Sequence, residues 1–327
     1  MGRRAEEGPS ASIRRDPNLW ASESQGRDSA LEQVLAALLA TDRFTERLAQ
    51  TIRLTLDQLY DGQHTGRYRW DQLHKTEKTH CGTVIEINLQ REFNFADGLD
   101  LDFKIADHDV DCKYSQRYGG WMIPNEAHDQ LCIVATADDA AGTWSAGLVR
   151  ARTEWLNLGR NRDAKATLSE EGRSNIIWFA RGEFLPPNVL LSLSRATVDR
   201  ILGHRHGTKR VDELFRAAQR RRVGRGVVAT VAQQSDYMKR IRENGGSRTA
   251  LQPEGIVIFG AYGRHLQLAI GLGLERLGPG ESMSARLAPA EPNDAWAVQI
   301  DNRWWRLAED DDEVVLAPTL PKVSERS

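Results

Sequence analysis

The sharpest alternation of apolar and polar positions runs from Asp109 to Gln116, DVDCKYSQ, where Val110, Cys112 and Tyr114 interleave with Asp111, Lys113 and Ser115. On a strand, side chains two apart share a face. The stretch is therefore predicted to be a strand with one apolar face and one face carrying an acid, a base and a hydroxyl. Upstream, LDLDFKIADHD reads as a partner strand with ADHD as the turn. QLCIVATADDAAGTWSAGLVRA reads as a further strand pair around a glycine-containing turn.

Helical periodicity surrounds these strands. SALE at 29–32 has the Ser-x-x-Glu form of a capping box, with Ser29 as the cap, and Leu31, Val34, Leu35, Leu38 and Leu39 follow at helical spacing. A second helix is predicted from about Thr41 to Tyr60, with Phe44, Leu48, Ile52, Leu56 and Leu59 on one side and Asp61-Gly62 as its stop. QHTGRYRWDQLHKTEKTH reads as a basic loop, CGTVIEINLQREFNF as a helix, and SEEGRSNIIWFA as a helix capped by Ser169. RGEFLPPN at 181–188 holds the one Pro-Pro pair of the chain and marks a boundary. Beyond it, TKRVDELFRAAQRR is a basic amphipathic helix. VGRGVVATVAQQSDYMKRIRENGG gives a turn, a short helix and a second helix ending at Gly245-Gly246, and EGIVIFG gives a strand. Helix, turn, basic helix and strand is the order of a winged helix-turn-helix.

With 327 residues, two domains are expected. The expected organisation is a disordered arm over 1–26, an α/β domain over 27–182, a linker over 183–188 and a mainly α winged helix-turn-helix domain over 189–327. No apolar run approaches the roughly 18 residues of a membrane span. The first residues lack the apolar core of a secretory signal, and Cys81, Cys112 and Cys132 lack zinc spacing, so a reduced, cytoplasmic setting is expected. Net charge is only -2, yet twelve Lys and Arg against Asp212, Glu213, Asp236 and Glu243 give His204–Arg248 a charge of +8. Such a block is a footprint for a polyanion, although a solvated helical face has the same composition.

Asp102 lies at the end of the strand-like run before Asp111, and Glu86 lies in the preceding helix. A hairpin brings Asp102 to Asp111, and a helix packed on the sheet presents Glu86 to both. Carboxylates hold a hard cation such as Mg²⁺, which neutralises a phosphate and acidifies a water, while a lysine stabilises the developing charge. Asp-x-Lys alone is weak, because it also describes an exposed strand face with a surface ion pair worth ~0–1 kcal/mol. Cys112 reads as a small buried hydrophobe. The candidate DNA contacts are Arg67 and Arg69 in GRYRW, Lys75 and Lys78 in HKTEKTH, and Lys209, Arg210, Arg225, Lys239, Arg240, Arg242 and Arg248 beyond the boundary. His74 and His80 do not share a helix face, which speaks against a metal pair.

TLDQLYDGQHTGRYRWDQLHKTEKTHCGTVIEINLQREFNF, then VDCKYS with GGWMIP and WSAGLV, then RVDELFRAAQRRRVGRGVVATVAQQSDYMKRIRENGGSRTALQPEGIVI cover most of residues 55–260. In that order they resemble the NaeI family of type II restriction endonucleases. The resemblance implies a PD-(D/E)xK endonuclease domain, a mixed sheet flanked by helices, followed by a winged helix-turn-helix domain like that of the catabolite activator protein. It implies a Mg²⁺-dependent homodimer that cuts a GC-rich palindrome, GCCGGC or a close relative, and is activated by a second copy of the site. It also implies a cognate DNA methyltransferase in a bacterial host. The family's catalytic positions fall on Glu86, Asp102, Asp111 and Lys113, the three carboxylates being the metal ligands. Leu101 stands where the motif's proline would be. A ligase-like patch of the family falls on TLDQLYDG with Leu59 in place of the ligase lysine, so no adenylation is expected. The alternatives are a DNA-binding regulator with an inert nuclease-like domain and a mismatch or repair nickase.

Overall fold

The computed structural model describes residues 28–157, 165–242 and 245–321, so the arm expected over 1–26 lies outside the described residues. Helix α1 (Ser29–Ala40) is capped by Asp28 rather than Ser29, the Asp28 carboxylate accepting from Leu31 N at 3.0 Å. Asp28 is held in place by Arg150, a partner far along the chain. Helix α2 (Phe44–Tyr60) starts after Arg43, which adopts a left-handed conformation. A single turn, α3 (Gly62–Thr65), follows. The expected loop through His80 is shorter than its polarity suggested, because α4 spans Lys75–Phe93. The Glu77 carboxylate accepts from His74 N at 2.8 Å and nucleates that helix.

The strands of the first half are β1 (Ala96–Asp97), β2 (Phe103–Ile105), β3 (His108–Tyr114), β4 (Leu131–Asp138), β5 (Thr143–Arg150), a small pair β6 (Leu156–Asn157) and β7 (Thr167–Leu168), and β8 (Ile177–Phe184). The helix expected over SEEGRSNIIWFA is split. Ser169 caps only α5 (Glu170–Ser174), and Ile177-Trp178-Phe179, β-branched and aromatic, then run as β8. The main sheet has the order β1-β2-β3-β4-β5-β8. β3 and β4 are parallel, and the other pairs are antiparallel. Ala106 and Asp107 turn the β2–β3 hairpin with positive φ of 49° and 64°, the geometry that matches strand twist.

Period-two alternation divides the sheet's faces. Val110, Cys112, Ile133, Ala135 and Leu148 face the core built with α1, α2 and α4. Cys132, Val134 and Val149 face a smaller cluster with Trp121, Ile123, Ala166 and Leu168. Asp111 is level with Cys132 and Lys113 with Val134 in the parallel pairing, so both of these candidate side chains stand on the second face.

The second half contains α6 (Val189–Ser192), α7 (Arg195–Gly203), α8 (Gly207–Ala217), α9 (Arg225–Ala232), α10 (Ser247–Leu251), β9 (Ile256–Gly260), α11 (Gly263–Gly271), β10 (Ser282–Pro289), β11 (Val298–Ile300) and β12 (Arg303–Leu307). Helix outweighs strand there, yet this half holds more sheet than the single strand read in the sequence. A sheet of order β11-β12-β10-β9 runs through it, with β9 buried on both sides between two apolar clusters. The expected second basic helix is a 3-10 turn, Tyr237–Ile241, rather than an α-helix. The expected linker at 183–188 overlaps β8 at its start. Its end is tied down, since Asn188 Nδ2 donates to Tyr68 O at 3.0 Å.

The two halves meet where α2 and α3 pack on α9. A β-carbon on Gly226 of α9 would lie 2.1 Å from Oδ2 of Asp57, so only glycine permits this approach. Beneath it, the buried Arg53 pairs with Asp57 at 2.8 Å and with Asp139, which also accepts from Tyr60 Oη at 2.6 Å. Burial pushes the Asp57 carboxyl upward against the pull of Arg53. Removing the one cation leaves the buried Asp139 and the partly exposed Asp57 without their partner. Arg53→Ala is therefore expected to lower stability by about 3–5 kcal/mol in chemical denaturation, a loss larger than any single exposed ion pair of the chain would cause.

Candidate active site

The hairpin partner β2 ends before β3 does. Phe103 is level with Val110, and beyond that point the edge of β3 is open on the β2 side. The Asp102 carboxylate closes the gap by accepting from Cys112 N at 2.7 Å. Lys113 Nζ lies 2.5 Å from Asp111 Oδ1, 3.3 Å from Asp102 Oδ2 and 3.0 Å from Cys112 O. Asp111 Oδ2 has the Cys132 thiol at 3.8 Å as a weak donor. Glu86, on α4, is half-buried and feels the charges of Asp102 and Lys113 without hydrogen-bonding to either. The structure thus brings Asp102, Asp111 and Lys113 into direct contact and leaves Glu86 one step back on its helix.

The electrostatics follow from this crowding. Burial pushes the Asp111 carboxyl up to about 6, with Lys113 acting against the shift and Asp102 adding to it. Burial and then Asp102 raise the Glu86 carboxyl. Burial would lower the Lys113 ammonium, but the charge and hydrogen bond of Asp111, with Asp102 behind it, hold it above the ordinary lysine range. Burial likewise raises the thiols of Cys112 and Cys132, which leaves them as packing groups rather than nucleophiles. The potential here is negative and only partly balanced by one lysine. Among the described residues no group of three or more His, Cys, Asp or Glu is drawn together tightly enough to hold a metal by itself. Mg²⁺ needs one or two carboxylates, with waters and substrate phosphate completing its shell. Asp102 and Asp111, converging on one point with hard oxygens, fit that requirement, and Glu86 stands behind them.

The family model described as "Restriction endonuclease NaeI" matches residues 32–316. The chain belongs to the NaeI family of restriction endonucleases. It is 45% identical over 306 residues to the Type II restriction enzyme NaeI of Lentzea aerocolonigenes, covering 91% of this chain and 96% of that protein. The match reaches well outside the 55–260 stretch that carries the resemblance in the sequence. No helix among the described residues is long and apolar enough to cross a membrane.

For a NaeI-family enzyme, the basic residues are the next question, and the structure divides them. Arg67 is used internally. It forms two 2.8 Å bonds to Glu77, and its Nε donates to Tyr60 O at 3.2 Å. Arg210 donates to Val231 O, Ala232 O and His204 O and so finishes α9. Arg248 donates to Ile258 O and Tyr262 Oη, and Arg240 pairs with Asp236 at 2.7 Å. These four are committed to partners within the chain. Arg69 lies 3.3 Å from Asp71 and Lys209 3.4 Å from Asp212. Arg225 donates to Tyr237 Oη from an exposed position. Lys75, Lys239 and Arg242 are exposed and Lys78 is half-buried, all without a side-chain hydrogen bond or ion pair among the described residues. Lys75 and Lys78 sit in the first turn of α4, where each opposes the helix dipole by about 0.3–1 kcal/mol, and their charge is free to meet a phosphate. Much of the +8 block is therefore internal cement. Arg216 is bound to Glu213 and Glu254, and Arg222 lies near Glu275 and Glu281.

Sequence reading missed Cys132, because the register that sets it beside Asp111 belongs to a parallel pair whose partners lie 21 residues apart. It also missed Asp139, which reads as a turn residue until Arg53 is seen against it. Lys113→Ala is expected to cut DNA cleavage by about a hundredfold or more. Removing the one ammonium between Asp111 and Asp102 leaves the buried Asp111 without its partner, so the melting temperature should fall too, and cleavage is compared at a temperature where both proteins are folded. A variant that neither melts nor cuts differently from the parent would show that this strand is not the cleavage centre.

Proposed function

We propose that this chain is a type IIE enzyme, a Mg²⁺-dependent deoxyribonuclease that cuts both strands of a GC-rich palindrome, GCCGGC or a close relative. The observation that carries the reading is the convergence of Lys113 with Asp111 and Asp102 at the open edge of β3. Asp111 and Asp102, with Glu86, would hold the ion, which when bound supplies charge neutralisation at the phosphate and a more acidic water. Lys113 then serves as the donor to charge developing on the attacking oxygen or the phosphorus centre. Asp102 keeps its place because the Cys112 amide holds it, and Asp111 is kept from bulk water by burial. Attack by water in line with the 3′ oxygen leaves 5′-phosphate and 3′-hydroxyl ends.

A homodimer suits a palindrome, since a twofold protein axis matches the twofold axis of the site. The second half is read as a winged helix-turn-helix module that binds the effector copy of the site. The succession of α8, α9, the 3-10 turn, α10 and β9 supports this, as do Lys239 and Arg242, which have no side-chain partner among the described residues. A cognate methyltransferase would protect the host's own copies, and a bacterial cytoplasm is the setting.

Incubating mixed plasmid DNA with Mg²⁺ and sequencing the ends should give discrete ends at one palindrome, and EDTA should stop cutting. Nicks at mismatches would point to a repair nickase, and binding without any cutting to an inert regulator. DNA carrying one site should be cut slowly and should speed up when a short duplex of the same sequence is added, because effector and substrate binding are coupled. Replacing Lys239 and Arg242 by Ala should weaken that activation. It should also reduce the salt slope of effector binding by about 0.9 for each phosphate no longer neutralised, with basal cutting retained.

A further inference from the structure

The turn that follows the catalytic strand is built more rigidly than a connection requires. Ser115 N donates to Ala135 O at 3.0 Å, and the Ser115 hydroxyl both donates to Arg117 O at 2.8 Å and accepts from Arg117 N at 3.2 Å. Gly120 N closes the turn on Arg117 O at 3.0 Å. A β-carbon on Gly120 would lie 2.7 Å from that same hydroxyl oxygen, so the turn can close only on glycine. Behind it, Trp121 is fully buried and its indole N–H donates to Ala135 O at 2.8 Å. Tyr118 rests edge-on against Trp121 at 5.5 Å and stacks on Trp178 at 6.1 Å. Yet Tyr118 is 50% exposed, and Arg117 beside it is exposed with no side-chain hydrogen bond or ion pair among the described residues. Most of the arginines read from the sequence as DNA contacts have a partner within the chain; Arg117, outside that reading, has none among the described residues.

Its position gives this a meaning. Trp121 belongs to the cluster of Cys132 and Val134, the residues level with Asp111 and Lys113. The turn therefore rises from the same sheet face as the catalytic pair. Arg117 is four residues past Lys113, which places it within about 14 Å along the chain, a few base-pair steps from a phosphate held at Lys113. Phosphate contacts need charge but tolerate mobile side chains. Base reading needs a donor fork aimed from a fixed backbone. A guanidinium without an internal partner, on a turn locked by a serine, a glycine and two tryptophans, matches the second requirement.

We propose that Arg117 reads a base edge of the substrate duplex within a few base-pair steps of the scissile phosphate and so sets sequence specificity. This rests on the reading of β3 as the cleavage centre. The test uses full-length parent enzyme, Arg117→Ala and Arg117→Lys. Each is assayed with Mg²⁺ on the parent's own cut site and on duplexes in which each base pair of that site is replaced in turn. Both variants should lose about 5- to 150-fold in kcat/KM on the parent's site and lose discrimination at one symmetry-related base-pair position. Lysine should not rescue, because it lacks the two-pronged fork. The melting temperature of Arg117→Ala should match the parent's, since no internal partner is removed. A drop of equal size on every duplex, or full rescue by lysine, would make Arg117 a phosphate contact and overturn the inference. An unchanged profile would overturn it as well, while parent cutting at its site would leave the cleavage centre standing. A parent that makes no defined ends would sink the cleavage reading first and this inference with it.

Discussion

Two acids meeting at the edge of one strand, with a third behind them on a helix, cannot all stay charged unless a cation stands among them, and Lys113 is that cation. Its ammonium touches Asp111 and Asp102 at once, and the strand that carries it is fixed on its other face by the largest apolar cluster of the chain. Burial pushes Asp111 and Glu86 toward their neutral forms. The site is thus strained electrostatically before any substrate arrives, and further positive charge relieves it. That is the condition under which a metal-assisted phosphodiesterase can gather its ion together with its substrate.

The rest of the first half keeps this edge open and rigid. β2 stops short, and Asp102 takes over its hydrogen-bonding duty toward β3. Helix α4 is fastened at its start by Arg67 to Glu77 and carries Glu86 further along. The same connector from α2 to α4 lies against α9, where Gly226 lets Asp57 approach and Arg53 gathers its carboxylate and that of Asp139. The TLDQLYDG patch is thus occupied with joining the two halves. Leu59 within it is a buried core residue, which accounts for an apolar side chain there in physical terms.

Charge in this protein is mostly spent inside the fold. A basic stretch on a nearly neutral chain suggests a polyanion surface, but Arg210 caps a helix, Arg216 and Arg240 bridge to acids, and Arg248 donates to the Ile258 carbonyl of β9. Guanidinium groups suit that work because one side chain can satisfy several carbonyls or both oxygens of a carboxylate. Lys75, Lys239, Arg242 and Arg117, at element ends and turns, have no hydrogen bond or ion pair from their side chains among the described residues.

The sequence alone determined the strand DVDCKY and its two faces, though not that it ends at Tyr114 with Ser115 turned into the next loop, and it also determined the hairpin that returns Asp102 to Asp111, the β4–β5 pair, and the helices α1 and α2. Each rests on local periodicity or turn chemistry, which a chain carries regardless of what it packs against. It also carried enough likeness to place the chain in its family. Tertiary structure decided the rest. α4 extends through a polar stretch because Glu77 is engaged by Arg67 and by the His74 amide. The segment after Ser174 becomes a strand because β5 offers it an edge. The expected second basic helix is a 3-10 turn, and a four-stranded sheet joins the helices of the second half. Which arginines are free, and that Cys132 stands beside Asp111, depends on partners distant in sequence. A one-dimensional pattern records which residues want to be buried or charged, but not which of many possible partners the fold sets against them.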